Sequence, residues 1–120
     1  IKLFYQKELS QLSTTEQSQA RTVFQGNIKE KEIQAFSLDK ILDTGKYKNT
    51  KIDFLDIDVE GADFKVLEGL SFDKYKPKLI CIEIYDKKVE NSEIYKFLNK
   101  KNYSLIWSGI FSHLFQSNTN

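Results

Sequence analysis

The chain has 120 residues, of which 40% are hydrophobic and 29% are charged, and this composition is typical of one small globular domain with a single core. Its 18 Lys and Arg residues nearly balance its 17 Asp and Glu residues, so charge gives no argument for binding nucleic acid or an anionic membrane. The single cysteine, Cys81, and the lack of any apolar run of about 18 residues predict a cytoplasmic chain without a disulfide or a membrane span.

Residues 1–30 carry the weakest pattern. The first five residues, IKLFY, predict a short strand, and the stretch after them is rich in Gln, Ser and Thr without a clear period. Ser13 and Glu16 have the spacing of a helix capping box, but no apolar helix face follows them. We therefore predict a poorly defined leading segment that is mostly loop, with at most a short helix.

The next two elements are predicted from local signals. Ile33–Phe36 has the composition of a short strand. Ser37 is placed to cap a helix over Leu38–Asp43, and Gly45 is placed to end that helix.

In the middle of the chain a strand passes directly into a helix. The β-branched and aromatic run Ile52–Val59 predicts a strand that stops at Glu60-Gly61, and apolar residues then recur every three positions, as on one helix face. This order is half of a βαβ unit. Because ligands of open α/β sheets lie at the carboxyl ends of the strands, Asp58, Glu60 and Gly61 are candidate site residues.

A second strand is predicted at Lys78–Tyr85, whose apolar middle is typical of a strand covered on both faces. The strand–helix–strand order predicts a right-handed parallel crossover, and it places Glu83 near the same edge as Asp58. Residues 117–120 are polar and are predicted to fray. The remaining predicted elements are a helix that is capped at Asn91 or Ser92 and runs to about Lys101, and a hairpin with strands at Tyr103–Trp107 and Ile110–Phe115.

The run IDFLDIDVEGADFKVLEGLSFDKYKPKLICIEI, with SLDKIL before it and YSLIWSGIFSHLF after it, resembles the FkbM-type S-adenosylmethionine-dependent methyltransferases over residues 32–116. The specific part is I-D-V-E-G-A followed by V-L-x-G-L. The resemblance implies the class I methyltransferase fold, an α/β Rossmann-like sheet of parallel strands with helical crossovers that ends in an antiparallel hairpin. Within that fold Ile52–Val59 would be strand four, Leu79–Ile84 strand five, and the final hairpin strands six and seven.

The chain departs from the family at the cofactor site. The family binds S-adenosylmethionine with a glycine-rich loop after an amino-terminal strand, and the five glycines of this chain form no such cluster. The chain also begins at Ile1 and contains no Met. We therefore expect residues 31–116 to be the carboxyl-terminal half of a methyltransferase domain whose amino-terminal half is missing. S-adenosylmethionine would be the cofactor of the intact protein, and we expect no tight binding to this chain alone; no cofactor-binding residue is assigned.

Strand alternation puts Asp56, Asp58 and Glu60 on one face together with Phe54. Burying carboxylates without partners costs several kcal/mol, so a row of them on an otherwise apolar strand requires a reason. One hypothesis is catalytic: Asp58 and Glu60 orient an acceptor hydroxyl and accept its proton. The alternative is structural: Asp58 accepts backbone N–H bonds, and Glu60 caps the next helix.

Other candidates are weaker. Glu83 could contact the substrate or simply be solvated, and Gly61 could line the substrate site or serve only the backbone geometry. His113 is the only histidine, and a packing role is the simpler interpretation. The chain has no Cys/His cluster, so we predict no metal site.

Two functional hypotheses follow. The first is a fragment of an O-methyltransferase that acts on a hydroxyl of a small molecule or sugar and is inactive as this chain alone. The second is a non-catalytic, methyltransferase-like module for binding or self-association. In the class I fold strand four pairs with strand one, so without strand one the edge Ile52–Val59 is expected to pair with another copy or to be covered by residues 1–30.

Overall fold

The structure is a computed structural model that describes residues 1–6 and 13–119. A short 3₁₀ turn at Val89–Asn91 precedes the last helix. The strands and helices of the described residues are, in chain order, β1 (Lys2–Tyr5), α1 (Gln17–Val23), β2 (Lys29–Glu32), α2 (Leu38–Thr44), β3 (Phe54–Ile57), α3 (Asp63–Glu68), β4 (Leu79–Glu83), α4 (Glu93–Lys100), β5 (Tyr103–Ser108) and β6 (Ser112–Ser117).

Among the described residues, β3 to β6 form one mixed sheet of four strands in the order β3-β4-β6-β5. β3 and β4 are parallel, with Leu55 beside Ile80, while β6 runs antiparallel to both β4 and β5. The predicted parallel pair joined by a helix, and the predicted final hairpin, are therefore confirmed. β3 lies at the edge of this sheet, and its other side pairs with no described strand.

The core lies on one face of the sheet. Along β4 the burial alternates, with Ile80 and Ile82 fully buried under α3 and α4, from which Leu67 and Leu98 point into the core. The other face is only partly covered, so the prediction of a strand covered on both faces is wrong for β4. Cys81 lies on this open face as a free, half-buried thiol, and burial followed by the charge of neighbouring carboxylates raises its pKa.

Several predicted signals are confirmed at the helix ends. Ser37 accepts a hydrogen bond from the N–H of Lys40 at 3.2 Å, and Gly45 ends α2. Ser92 caps α4, and Asn102 takes the left-handed conformation after it, with φ of 64°.

The strand boundaries are less well predicted. β3 is half as long as the predicted strand Ile52–Val59, because the chain leaves the sheet after Ile57 to make the Glu60-Gly61 turn. β6 begins two residues later than Ile110, because residues 109–111 form the connection and the Phe111 carbonyl accepts the N–H of Ile84.

The leading unit, defined as residues 1–6 and 13–32, is a small structure of its own. β1 and β2 form an antiparallel ribbon, and the prediction of a strand at Ile33–Phe36 is wrong because the register pairs Lys2 with Glu32. α1 begins after Glu16, whose side chain makes no capping bond, so the capping box predicted from Ser13 is not the start of this helix. The buried apolar residues of the unit are Phe4, Ala20 and Phe24, and Thr14 is a buried polar residue.

The end of the chain is tied to the hairpin through residue 118. The N–H of Asn118 donates to the carbonyl of Asn102 at 2.9 Å, and Ser104 Oγ donates to Asn118 Oδ1 at 2.7 Å. Within the described residues, no helix has the length and apolar character needed to cross a membrane.

Candidate functional site

The candidate site lies at the edge of the sheet where β3 and β4 end. Asp58 follows β3 directly and is exposed. The chain then turns through two residues of positive φ, Glu60 at 50° and Gly61 at 101°. A positive φ is uncommon for a non-glycine residue, so the surrounding contacts must hold the turn in place.

Those contacts come from the leading unit and from α3. Thr14 Oγ1 donates a hydrogen bond to the carbonyl of Glu60, and the N–H of Gly61 donates to Asp63 Oδ2 at 3.2 Å. A Cβ added at Gly61 would lie 3.4 Å from Gln19 and Glu16, an ordinary contact, so the backbone conformation rather than space requires glycine here. These contacts account for Gly61 structurally, and its predicted contact with substrate stays a prediction.

Glu60 is the carboxylate of the site whose pKa is affected by the other three carboxylates. Partial burial raises its pKa first, and the negative charges of Asp58, Glu83 and Asp63 raise it further. A hydrogen bond from the side chain of Gln19 acts in the opposite direction. Because its pKa is raised, the carboxylate of Glu60 is a stronger base than that of an ordinary surface glutamate.

Glu83 is fixed by an aromatic neighbour. Tyr85 Oη donates a hydrogen bond to Glu83 Oε2, and this bond raises the pKa of the tyrosine. The Tyr85 ring lies 4.9 Å from the ring of Phe111, and both rings are half exposed. The structure therefore brings Glu83 to the same edge as Glu60, as the parallel crossover predicts.

The carboxylates of Asp56 and Asp58 are exposed, so the expected row of buried carboxylates on β3 is not found. Phe54, Asp56 and Asp58 share one face as predicted, but that face is exposed, so Asp56 and Asp58 carry no large desolvation cost. The residue that precedes α3 is Ala62, whose side chain cannot cap the helix, and the structural alternative for Glu60 stays a prediction.

The buried carboxylate of the site is Asp63, which the sequence interpretation missed. Its side chain is only 5% exposed, and Oδ1 has no hydrogen-bond partner among the described residues. Burial raises its pKa, and the N–H of Gly61 partly offsets that effect. The sequence did contain a signal for this role. Asp63 lies two residues after Gly61 and in the first turn of a helix, and an aspartate in such a position often accepts a hydrogen bond from the backbone just before it.

His113 does not join this site. It is 2% exposed on the core side of β6, where it pairs in register with Ile82, and its Nδ1 lies 2.9 Å from Ser108 Oγ. Its Nε2 has no partner among the described residues. The position agrees with the packing role predicted for it.

The described side chains of the site match neither a metal ion nor the whole of the family's cofactor. Within residues 1–6 and 13–119, no three His, Cys, Asp or Glu side chains are placed to hold a metal ion. For S-adenosylmethionine, the carboxylates of the site suit its hydroxyl groups. They would repel its own carboxylate, and the N–H of Gly61 is already bonded to Asp63. Among the described residues, no basic side chain forms an ion pair with Asp58, Glu60 or Glu83. The described residues alone do not fit the whole cofactor.

The chain matches the model of the Methyltransferase FkbM domain over residues 4–105, and it belongs to that family. Membership makes it a methyltransferase domain by class. The match starts near the amino terminus and so includes the leading unit, which the resemblance over residues 32–116 had left out. No curated protein and no solved structure matches the chain.

Proposed function

We propose that the edge formed by Asp58, Glu60 and Glu83 is the acceptor site of an S-adenosylmethionine-dependent O-methyltransferase. The observation that carries the proposal is the position of Glu60, a partly buried carboxylate in the turn that follows a parallel strand. Its pKa is raised by this burial and by the charges of three other carboxylates. Family membership supplies the reaction class. The hydroxyl of a small molecule or sugar is the acceptor that suits a carboxylate base.

In this proposal Glu60 accepts the proton from the acceptor hydroxyl as the oxygen becomes a nucleophile. Its pKa is raised by partial burial and by the neighbouring carboxylates, and this increases its proton affinity. Asp58 contributes by maintaining that pKa, and Glu83, held by Tyr85, is placed to accept a hydrogen bond from a second hydroxyl. Gly61 allows the turn that points Glu60 into the site.

The fold of the sheet unit, defined as residues 37–119, supports the same assignment. A parallel pair followed by a hairpin, in the order β3-β4-β6-β5, is the arrangement expected for strands four to seven of a Rossmann-like class I sheet. We infer that the sheet unit is the carboxyl-terminal part of such a sheet, and that this chain alone does not turn over, because the described residues do not fit the whole cofactor.

The acceptor part of the proposal is tested by carbon-detected NMR titration of the carboxylates in this chain. Glu60 should titrate above the ordinary glutamate range, and Asp58→Asn should lower its pKa, because a negative neighbour is removed. Asp73→Asn, on the exposed connector after α3, is the matched control and should leave Glu60 unchanged. A Glu60 that titrates in the ordinary range would remove the main support for its role as the base.

The catalytic part is tested with the full natural protein, in an assay of labelled methyl transfer from S-adenosylmethionine to hydroxylated small molecules. Glu60→Gln should lower kcat by about 100-fold or more, the usual contribution of a general base, whereas Glu68→Gln on the exposed side of α3 should not. In parallel, calorimetric titration of this chain with S-adenosylmethionine should show no tight binding. Binding at micromolar strength would contradict the inference that the site is incomplete.

The second candidate is a non-catalytic binding module. The outer edge of β3, which pairs with no strand among the described residues, favours it, because such an edge is a template for another strand. Self-association through Ile52–Val59 is one form of this hypothesis, and sedimentation analysis of the chain over a range of concentrations tests it.

A further inference from the structure

The leading unit contributes side chains to the acceptor site, although it lies outside the sheet that positions Asp58, Glu60 and Glu83. Thr14 Oγ1 donates a hydrogen bond to the carbonyl of Glu60. The side-chain amide of Gln19 donates a second hydrogen bond, to the Glu60 carboxylate. The proposed base is therefore held at its backbone and at its carboxylate by the same unit.

The hydroxyl of Thr14 is fixed in one orientation. Thr14 is 1% exposed, and its Oγ1 accepts the N–H of Glu16 at 3.1 Å, so its single O–H hydrogen is left to donate to Glu60. The backbone of Thr14 is also fixed, because its N–H donates to the carbonyl of Phe4 at 3.0 Å and its carbonyl accepts the N–H of Phe4 at 2.7 Å. A hydroxyl anchored in this way can hold Glu60 at its φ of 50°, which a non-glycine residue adopts only with such support.

Gln19 acts on the carboxylate itself. A hydrogen bond donated to a carboxylate favours its charged form, so this bond opposes the rise in the pKa of Glu60 that burial and the neighbouring carboxylates produce. The bond also restricts the direction in which the carboxylate points. Gln19 lies against the turn, since a Cβ added at Gly61 would be 3.4 Å from the Cβ of Gln19. Gln17, two positions earlier on the same helix, is exposed.

We propose that Thr14 and Gln19 are positioning residues for the base of the methyl transfer. Thr14 holds the backbone of Glu60 in the turn, and Gln19 aims its carboxylate at the acceptor hydroxyl. The leading unit is then part of the acceptor site, which is complete only when this unit is docked on the turn. The inference rests on the proposed role of Glu60 as the base, because both residues act through it.

Carbon-detected NMR titration of this chain tests the two contacts without methyl transfer. Gln19→Leu should raise the pKa of Glu60, because the hydrogen bond that favours the carboxylate is lost while the burial remains. Gln17→Leu makes the same change at an exposed position of α1 and should leave that pKa unchanged. Thr14→Val removes the hydroxyl and should shift the backbone carbonyl signal of Glu60. Thr14→Ser keeps the hydroxyl and should restore the signal.

Kinetics of the full natural protein test the consequence for methyl transfer. Gln19→Leu and Thr14→Val should each lower kcat by about tenfold with little change in KM, because the base is misplaced while the acceptor still binds. In Gln19→Leu the acid limb of the kcat/KM profile should also move to higher pH, following the pKa of Glu60. Thr14→Ser should recover most of the activity. Thr22→Val removes a hydroxyl from the exposed side of α1 and should leave kcat unchanged.

Two results would overturn this inference and leave the proposed function intact. The first is a pKa of Glu60 that Gln19→Leu and Gln17→Leu change equally. The second is a kcat that falls in Glu60→Gln but stays at the wild-type value in Gln19→Leu and Thr14→Val. An unchanged kcat in Glu60→Gln would instead remove the proposed base, and this inference with it.

Discussion

The leading unit and the sheet unit show how differently two parts of one chain are held together. The core of the sheet unit contains eleven buried residues, which are spread over residues 57–115. The described core of the leading unit contains three. All four residues of β2 are exposed, and an exposed ion pair between Lys2 and Glu30 joins it to β1. Burial of apolar area is the main source of stability, so the sheet unit should unfold last.

The largest expected effect comes from truncating the two cores. Leu67→Ala removes a fully buried side chain from the sheet unit and should lower the free energy of unfolding by about 3 kcal/mol. Phe24→Ala, in the core of the leading unit, should release that unit while leaving the urea midpoint of the sheet unit nearly unchanged. Urea denaturation, monitored by amide hydrogen exchange, distinguishes the effects of the two variants. Equal shifts of the main urea midpoint in Leu67→Ala and Phe24→Ala would show that the two units unfold together.

The next effect compares two glycines of positive φ. Gly61→Ala should cost about 1–2 kcal/mol of global stability, because its φ of 101° strains an L-residue in a turn of the sheet unit that the leading unit contacts. Gly26→Ala carries a similar strain at φ of 85°, but it lies in the leading unit and should affect only local opening. Thermal unfolding measures the first change and hydrogen exchange the second. A loss of global stability as large for Gly26→Ala as for Gly61→Ala would argue against separate units.

A smaller difference is expected at the helix caps. Ser92 Oγ accepts the N–H of Tyr95 at 2.9 Å, so Ser92→Ala should cost about 1 kcal/mol. Glu16 precedes α1 without a capping bond, and Glu16→Ala removes only its exposed ion pair with Lys65, worth at most about 1 kcal/mol and commonly less. Chemical denaturation of both variants tests whether Ser92→Ala lowers the free energy of unfolding more than Glu16→Ala does. A larger loss for Glu16→Ala would show that its contact with Lys65 contributes more stability than the Ser92 cap.

The smallest effect is a change of slope with pH. Because the folded pKa of Asp63 is raised, the folded state binds more protons than the unfolded state between the ordinary aspartate pKa and the folded value. Stability from this group is therefore present at low pH and is lost as the pH rises through that window. Asp63→Asn should remove this part of the slope, while Asp73→Asn should keep it; the measurement is the urea midpoint as a function of pH.

The same contrast explains what the sequence could predict. The period of α4 with its Ser92 cap, and the apolar run of β4, are local signals, so the positions of these elements were predicted closely, although β4 is fully buried on only one face. β2 has the sequence KEKE, which carries no apolar pattern and becomes a strand only because β1 pairs with it. Its position could not be read from its own residues.

For the site, Asp58, Glu60 and Glu83 were predicted at one edge because parallel strands place their carboxyl ends together. The burial of Asp63 and the contact of Thr14 with Glu60 were not predicted. The contact depends on the leading unit packing against the Glu60-Gly61 turn, and Thr14 is 46 positions away from Glu60. Such long-range packing leaves no period in the sequence.

The half-covered face of the sheet has a practical consequence for following this molecule in solution. Cys81 is the only thiol of the chain, and it lies in register with Asp56, at the middle of β3. A fluorophore or spin label attached there would report on the neighbouring edge without any engineered residue. Because burial and Asp56 raise the pKa of the thiol, labelling should need a more alkaline buffer than an ordinary cysteine. The labelling rate would then rise in Asp56→Asn and would give a chemical measure of the charge along β3.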